Sequence, residues 1–458
     1  MTIQQIIQAQ RQYFASGATQ QVAFRIEQMQ KLEQALEQHE PALLQALAHD
    51  LAKPALEAYL SEIGQVRAEI KYAKQRLKRW ARPHARATIM ANKPGRSYVL
   101  AEPYGTVLIM GPWNYPVNLL LSPLIGAIAA GNTTILKPSE LAPAVSEAVT
   151  TLIRETFDPA YVIAIPGDAT VAQELLEESF DYIFFTGSTQ VGRIVMEKAA
   201  RHLTPVTLEL GGKSPTLVWS DCDLEVTARR IAWGKFLNAG QTCVAPDYVL
   251  VHESIYEAFI EKLKKTIASF YGADPRQSRD YGRIVNLKHW ERLQGYLSQG
   301  RIVFGGGVDR EQRYIAPTLM TDVGEDAPLM TEEIFGPLLP IVKIKNYEEA
   351  KRFIKARPKP LALYVFARDK DLIQRLIREV PAGGVCVNDT ISHLIGSELP
   401  FGGVGASGMG AYHGKASFDT FSHYKSVLER KTWLDFRMKY PPYKYGLEQI
   451  KRILKFMF

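Results

Sequence analysis

The chain has 458 residues, of which 46% are hydrophobic and 22% charged, and its formal net charge is +7. This composition is typical of a globular chain long enough for two or three domains, and it excludes a disordered or fibrous protein. The three cysteines occur without a Cys-x-x-Cys pair or a histidine cluster, so no metal site and no disulfide framework is predicted. Unpaired cysteines favour a reducing, cytoplasmic compartment. No nucleic-acid-binding motif accompanies the positive charge, which we interpret as an ordinary basic surface.

Apolar residues at helical spacing predict helices over residues 1–80. From residue 104, short apolar runs alternate with helical segments. The predicted strands are 105–111, 133–138, 162–165, 182–186, 206–209, 216–219 and 248–251, and the predicted helices between and after them are 123–130, 143–156, 170–178, 189–201, 223–237 and 254–270. Such alternation predicts α/β architecture with parallel sheets. Because the alternation restarts after residue 213, we expect two doubly wound domains.

Two strand ends in the first series carry candidate dinucleotide-binding residues. Gly187 follows strand 182–186 and allows a phosphate to approach the backbone, while Ser188 can cap the next helix and Gly192 lies in that helix. Lys137 and Glu140 follow strand 133–138 and can both face ribose hydroxyls. Taken alone, each motif has a plain alternative, namely a strand-to-helix turn or a solvated charge pair.

Cys243 and Glu209 suggest covalent thiol chemistry. Cys243 follows a glycine and two polar residues, and Glu209 precedes a Gly-Gly turn upstream. A fold that brings the two together would pair a nucleophile with a base. Asn114 follows the first strand of the series, between two prolines, where its amide could donate to a developing oxyanion. The alternative for Asn114 is a turn residue.

These runs together resemble the aldehyde dehydrogenase superfamily in order and spacing. The resemblance covers roughly residues 20–430. It rests on residues 112–116, 137–140, 185–192, 209–215, 240–243, 332–337 and 399–408. The short N-terminus and residues 243–248 and 407–415 resemble the class 3 and fatty aldehyde dehydrogenase branch.

The resemblance implies a domain organisation. Residues 1–81 and 104–209 would form a Rossmann-like NAD(P)-binding domain, and 210–410 a catalytic domain. Residues 82–103 and 411–435 would form a small β extension that bridges the subunits of a homodimer. The tail, 436–458, has apolar residues on one helical face, so it is either a peripheral membrane helix or a helix packed on the body or on a second subunit.

The resemblance also implies roles for individual residues. Cys243 attacks the aldehyde as an activated thiolate, and Asn114 with the Cys243 N–H holds the oxyanion. Glu209 is the family's usual base for thioester hydrolysis, and Glu333 is a second candidate. The residues implied to bind the cofactor are Trp113, Lys137, Glu140, Gly187, Ser188, Gly192, Glu333 and Phe335. The candidate substrate-wall residues are Tyr115, Trp233, Phe401 and Tyr412, for each of which a core role is the alternative.

The function implied is NAD- or NADP-dependent oxidation of a small-molecule aldehyde, medium- to long-chain aliphatic or aromatic, to its acid. The carboxylate of Glu140 favours the free ribose of NAD over the 2′-phosphate of NADP. Two alternatives stay open at this point. One is an acylating enzyme that passes the thioester to coenzyme A or phosphate, and the other is a non-catalytic structural or binding protein on the same fold.

Overall fold

The computed structural model describes residues 1–435 and 437–455. The N-terminal part is helical, as the sequence predicts, and leads into two strands. These elements are α1 (Ile3–Ala15), α2 (Val22–Leu51), α3 (Ala55–Ala58), α4 (Gly64–Trp80), β1 (His84–Arg86) and β2 (Gly95–Pro103), with a π-helical turn, Tyr59–Ile63, between α3 and α4. Thr2 is the N-cap residue of α1 and forms a capping box with Gln5.

The next stretch of chain forms a parallel α/β unit. Its elements are β3 (Thr106–Met110), α5 (Asn118–Ala130), β4 (Thr133–Lys137), α6 (Pro143–Thr156), β5 (Val162–Ala164), α7 (Ala169–Glu177), β6 (Tyr182–Thr186), α8 (Thr189–Ala200) and β7 (Val206–Glu209). The strand order is β7-β6-β3-β4-β5, so the chain runs outward from β3 in one direction and then from β6 in the other. The carboxyl ends of β3 and β6 therefore flank a topological switch point, where ligands bind in open α/β sheets.

A second α/β unit follows. Its elements are β8 (Pro215–Val218), α9 (Leu224–Phe236), β9 (Tyr248–His252), α10 (Tyr256–Tyr271), α11 (Leu287–Tyr296), β10 (Arg301–Phe304), β11 (Val308–Asp309), β12 (Tyr314–Ile315), β13 (Thr318–Thr321), α12 (Pro328–Thr331), β14 (Leu338–Ile344), α13 (Tyr347–Lys355), β15 (Ala362–Phe366), α14 (Lys370–Glu379) and β16 (Gly384–Val387). The seven-stranded sheet has the order β10-β13-β14-β9-β8-β15-β16 and is parallel except for β10. The predicted pair of parallel α/β units is confirmed.

The chain then returns to the first unit. The last elements are β17 (Gly408–Met409), α15 (Gly414–Thr420), β18 (Ser422–Arg430) and α16 (Leu447–Lys455). Strand β17 adds antiparallel to β7, and β18 completes a separate three-stranded sheet, β1-β2-β18. Helix α16 lies in the predicted helical tail; residues 436 and 456–458 of that tail lie outside the described residues. Among the described helices, none is long and apolar enough to cross a membrane.

Helix α5 starts five residues earlier than predicted. The sequence predicts a helical stretch over residues 123–130, which starts at Pro123. In the structure α5 begins at Asn118 and contains Pro123. The earlier start is stabilised from outside the helix, because the Glu62 carboxylate accepts the backbone N–H groups of Val117 and Asn118, each at 3.0 Å.

Glu62 belongs to a fully buried ion pair that joins the N-terminal helices to the first sheet. Its other carboxylate oxygen lies 2.6 Å from Lys53 Nζ, and both side chains are fully buried. Lys53 also donates to the carbonyl oxygen of Asn114, at 3.0 Å. The three hydrogen bonds that Lys53 and Glu62 make to the backbone all fall on residues 114–118, from the segment after β3 to the first residue of α5. The pair therefore fixes the segment that carries Asn114.

We predict that Lys53→Met lowers the free energy of unfolding by about 3–5 kcal/mol, because it leaves the Glu62 carboxylate buried without its partner. Urea denaturation followed by tryptophan fluorescence measures this. Lys31→Met is the matched control, because Lys31 pairs with Glu27 at the surface, with side-chain exposures of 45% and 58%; a change below about 1 kcal/mol is expected there. Equal effects of the two substitutions would contradict the assignment.

Candidate active site

Cys243 follows a strained turn between α9 and β9. Asn238, Ala239 and Gly240 have φ values of 51°, 52° and 75°, so three consecutive residues lie in the left-handed region. Two of them are not glycine, and such residues persist there only when surrounding contacts hold them. The turn presents Cys243 partly exposed in the wall of a cavity, with Thr242 and Val244 on either side of it.

Asn114 is joined to this turn by reciprocal hydrogen bonds. The side-chain Nδ2 of Asn114 donates to the backbone carbonyl oxygen of Gln241 at 3.0 Å. The backbone carbonyl oxygen of Asn114 accepts from Asn238 Nδ2 at 2.9 Å. A primary amide has two N–H groups, so Asn114 keeps a second donor beyond the bond to Gln241. The geometry thus brings a free amide donor and the Cys243 segment together, as an oxyanion site requires.

Two buried carboxyl groups lie near the thiol. Glu209 is the last residue of β7, and neither of its oxygens has a hydrogen-bond partner among the described residues. Burial raises the pKa of Glu209 well above its usual value. Burial, and then the charge of Asp247, raise the pKa of Glu333 to about 8. Its carboxylate lies against Gly211, in space that a side chain there would fill.

The pKa of the Cys243 thiol is raised rather than lowered. Burial is the first cause, and the charges of Glu333 and Glu209 add to it. This differs from the expectation of an activated thiolate, because burial and the two nearby carboxyl groups all disfavour the charged form of the sulfur. The backbone N–H groups of Cys243 and Val244 act in the opposite direction. In this environment the thiol needs a base to remove its proton as it attacks.

The predicted dinucleotide-binding residues lie at the carboxyl ends of β4 and β6. Lys137 is buried, and its Nζ donates to the Pro138 carbonyl at 2.7 Å and approaches Glu140 Oε2 at 3.4 Å. Burial lowers the pKa of Lys137. Ser188 is the N-cap of α8 and accepts from the Val191 N–H at 3.3 Å. The N-terminus of α8 is therefore available to an anion.

These residues fit a dinucleotide. The buried Thr186 hydroxyl at the end of β6 and one Glu333 oxygen have no partner among the residues that the structure describes. Both are polar groups that a bound ligand could satisfy. Gly187 keeps the end of β6 free of a side chain beside Thr186. At Gly192 an added Cβ would meet the Leu210 side chain, so this glycine also allows α8 to pack closely on the connection between β7 and β8.

Trp113 and Phe335 form an aromatic pair near this edge. Their ring centroids lie 5.3 Å apart in an edge-to-face arrangement, and Trp113 also contacts His289. Phe335 has a φ of 49°. The loop that carries Glu333 and Phe335 is fixed by Lys213, which pairs with Asp247 and donates to the carbonyl of Glu332 at 2.7 Å. Lys213 and Asp247 were not identified from the sequence as site residues.

The Cys243 thiol borders a mostly apolar cavity of about 600 Å³. All four predicted substrate-wall residues line it: Tyr115, Trp233, Phe401 and Tyr412. Tyr115 donates to or accepts from the Thr242 hydroxyl at 2.6 Å, which seats its ring beside the nucleophile. Sequence reasoning missed further lining residues, which are Glu57, Leu60, Leu119, Phe270, Tyr271 and Ile391.

The model of the aldehyde dehydrogenase family matches residues 1–427. The chain belongs to the aldehyde dehydrogenase family. It is 50% identical over 455 residues to the 4,4'-diaponeurosporen-aldehyde dehydrogenase of Staphylococcus aureus (99% of this chain and 99% of the relative). A solved structure titled as the substrate-bound state of Staphylococcus aureus AldH has a TM-score of 0.97 at 49% identity, and covers 99% of this chain and 100% of that one.

Two mammalian relatives support the predicted class 3 branch. The dimeric NADP-preferring aldehyde dehydrogenase of Rattus norvegicus is 47% identical over 443 residues (96% of this chain and 98% of the relative). The aldehyde dehydrogenase family 3 member A2 of Mus musculus is 48% identical over 434 residues (94% of this chain and 90% of the relative). The chain is thus an NAD(P)-dependent aldehyde dehydrogenase of the class 3 type.

We predict that Asn114→Ala lowers kcat by about 10²–10³-fold, because it removes an oxyanion donor. Steady-state NADH formation from an aliphatic aldehyde measures this. Asn346→Ala is the matched control, because Asn346 caps α13 at the surface, far along the chain from the cavity residues; its kcat should stay that of the parent enzyme. A kcat for Asn114→Ala within threefold of the parent would rule out the oxyanion role.

Proposed function

We propose that this aldehyde dehydrogenase oxidises medium- to long-chain aliphatic or aromatic aldehydes to carboxylic acids through a thioester on Cys243. The observation that carries the proposal is the apolar cavity of about 600 Å³ that ends on the Cys243 thiol. An apolar cavity with few polar groups suits a hydrocarbon chain with a single reacting end. The Staphylococcus aureus relative, named for 4,4'-diaponeurosporen-aldehyde, supports an aldehyde of this kind.

The first step is addition of the Cys243 sulfur to the aldehyde carbon. The thiol proton leaves to a base, and the carbonyl oxygen becomes an oxyanion held by the Asn114 amide and the Cys243 N–H. NAD(P), which Lys137, Glu140 and Glu333 would hold, would supply the acceptor for the hydride that leaves the former aldehyde carbon. Water then attacks the thioester, the carbon–sulfur bond breaks, and the carboxylic acid and free thiol are released.

We assign the hydrolytic base to Glu209. Its pKa is raised by burial, and both of its oxygens are without a partner among the described residues, so either can accept a hydrogen bond from a water molecule that enters with the substrate. Lys213 holds the loop that carries Glu333, and the Glu333 carboxylate packs on Gly211. A carboxylate held in this way suits a residue that binds the ribose of the cofactor. Glu333 stays the second candidate. The presence of Glu209 favours hydrolysis over transfer of the acyl group to coenzyme A or phosphate.

Cofactor preference is inferred from the residues at the strand ends, and assembly from the separate β1-β2-β18 sheet. We expect NAD to be used and NADP to be accepted more weakly or comparably, with Trp113, Lys137, Glu140, Gly187 and Ser188 on the adenosine and pyrophosphate side. A homodimer formed through the β1-β2-β18 sheet is consistent with the rat relative, which is named dimeric. The membrane contact proposed for the tail stays a prediction.

We predict that Glu209→Gln enzyme releases about one NADH per subunit in a rapid burst and then turns over at least about 100-fold more slowly than the parent, because acylation proceeds and hydrolysis stalls. Stopped-flow absorbance with dodecanal and NAD measures this. Cys243→Ser should show neither phase. Unchanged steady-state turnover of Glu209→Gln would move the base to Glu333, and turnover by Cys243→Ser would overturn the mechanism.

We also predict that Glu140→Gln raises the ratio of kcat/KM for NADP to kcat/KM for NAD by roughly tenfold, because it removes a like charge from beside the 2′-phosphate. Steady-state kinetics with both cofactors measure this. Glu147→Gln, a substitution on α6 away from the strand end, is the matched control. A ratio that does not change on replacing Glu140 would show that this side chain does not face the ribose.

A further inference from the structure

Glu57 is a carboxyl group in the wall of the substrate cavity that the proposed mechanism does not use. It lies on the short helix α3, where it lines the cavity together with Cys243. Its Oε1 accepts the backbone N–H of Asn238 at 2.9 Å. That single bond connects α3 to the turn before the nucleophile, across 181 residues of chain.

Asn238 is the first of the three left-handed residues that lead to Cys243. A non-glycine residue in this region costs on the order of 1–3 kcal/mol and is kept there by its contacts. The backbone N–H of Asn238 is buried, so it needs an acceptor. Glu57 supplies it, and the bond is charge-assisted when the carboxyl is ionised.

The side chain of Asn238 carries this restraint to both halves of the oxyanion site. Its Nδ2 donates to the Asn114 carbonyl at 2.9 Å and to the Gln241 carbonyl at 3.2 Å. The Gln241 carbonyl also accepts from Asn114 Nδ2. A shift of Asn238 would therefore move the Asn114 amide and the Cys243 segment relative to each other.

The surroundings of Glu57 act in both directions on the pKa of the carboxyl group that accepts the Asn238 N–H. Burial raises its pKa to about 7, Lys53 and the bond from Asn238 act to lower it, and Glu62 acts to raise it. Burial raises the pKa of Tyr115 and of Tyr271, and the charge of Glu57 adds to the shift of each.

We propose that Glu57 is a positioning residue for acylation: its hydrogen bond to Asn238 holds the 238–240 turn so that the Asn114 amide and the Cys243 N–H converge on one oxyanion. The proposal rests on the proposed function, in which Cys243 is the nucleophile. Misplacement of reacting groups by about 1 Å costs about 10²-fold in rate, so loss of this restraint should affect the chemical step.

Two substitutions separate the hydrogen bond from the charge. Glu57→Gln keeps an acceptor oxygen at the same reach but has no charge. Glu57→Asp keeps the charge but withdraws the oxygens by one methylene, out of reach of the Asn238 N–H. Both leave a polar side chain at this position. Glu37→Asp, on the exposed face of α2, is the matched control.

The experiment measures the rate constant of the NADH burst with dodecanal, and the Kd for NAD, in full-length enzyme that carries Glu209→Gln, in which hydrolysis stalls and the burst is resolved. That enzyme is the parent for this comparison, and the melting temperature of each variant checks its folding. We expect Glu57→Asp to lower the burst rate constant about tenfold or more with a Kd for NAD within twofold of the parent. Glu57→Gln should restore the rate constant to within about threefold. Glu37→Asp should match the parent.

Three outcomes would overturn the proposal. They are a burst in Glu57→Asp as fast as that of the parent, an impairment of Glu57→Gln equal to that of Glu57→Asp, and a loss confined to the Kd for NAD. The Cys243→Ser enzyme, run in parallel, separates this failure from that of the mechanism. If Cys243→Ser still forms NADH, the proposed function fails; if it does not while Glu57→Asp is unimpaired, only the role of Glu57 fails.

Discussion

The carbonyl oxygen of Asn114 is the shared acceptor on which the site depends. Lys53 donates to it from the N-terminal helices at 3.0 Å, and Asn238 donates to it from the turn before Cys243 at 2.9 Å. The three segments come from distant parts of the sequence and from both α/β units. Buried polar groups need hydrogen-bond partners, so the two bonds together restrict where the three segments can lie relative to one another. The same network therefore fixes the position of the Asn114 amide and of the segment that carries Cys243.

Burial changes the pKa of both kinds of titratable group in the site. It raises the pKa of Glu209 and of Glu333, so each carboxylate is a stronger base than a solvent-exposed one. It also raises the pKa of Cys243, so attack by the sulfur requires a base that removes the thiol proton. The cavity beside these groups is mostly apolar, which also suits the hydrocarbon substrate that we propose.

Much of this arrangement was predictable from the sequence because it depends on local patterns. The alternating strands and helices have the order predicted, and the residues predicted at strand ends, such as Lys137, Gly187 and Glu209, lie at strand ends. The four aromatic residues proposed for the substrate wall line one cavity. The strand-end predictions succeeded because strand termini and glycine turns have sequence signatures that do not depend on distant contacts, whereas the four aromatic residues were implied by the family resemblance.

What the sequence did not predict depends on partners far along the chain. Lys53, Glu62 and Glu57 are ordinary residues of helical segments until the fold pairs them with Asn114, Val117 and Asn238. The early start of α5 has the same origin, because its first N–H groups bind Glu62. The direction of the Cys243 pKa shift was missed for a related reason, since it comes first from burial and then from two carboxyl groups that are separated from the thiol in sequence and near it in the fold.

The covalent step on Cys243 is the claim on which the rest of the account depends. Mass spectrometry of the Glu209→Gln enzyme, quenched in acid after mixing with dodecanal and NAD, tests it most directly. The account predicts a dodecanoyl adduct on the peptide that contains Cys243, and unmodified peptides for Cys222 and Cys386. An enzyme that forms NADH without any adduct, or with the adduct on Cys222 or Cys386, would contradict it.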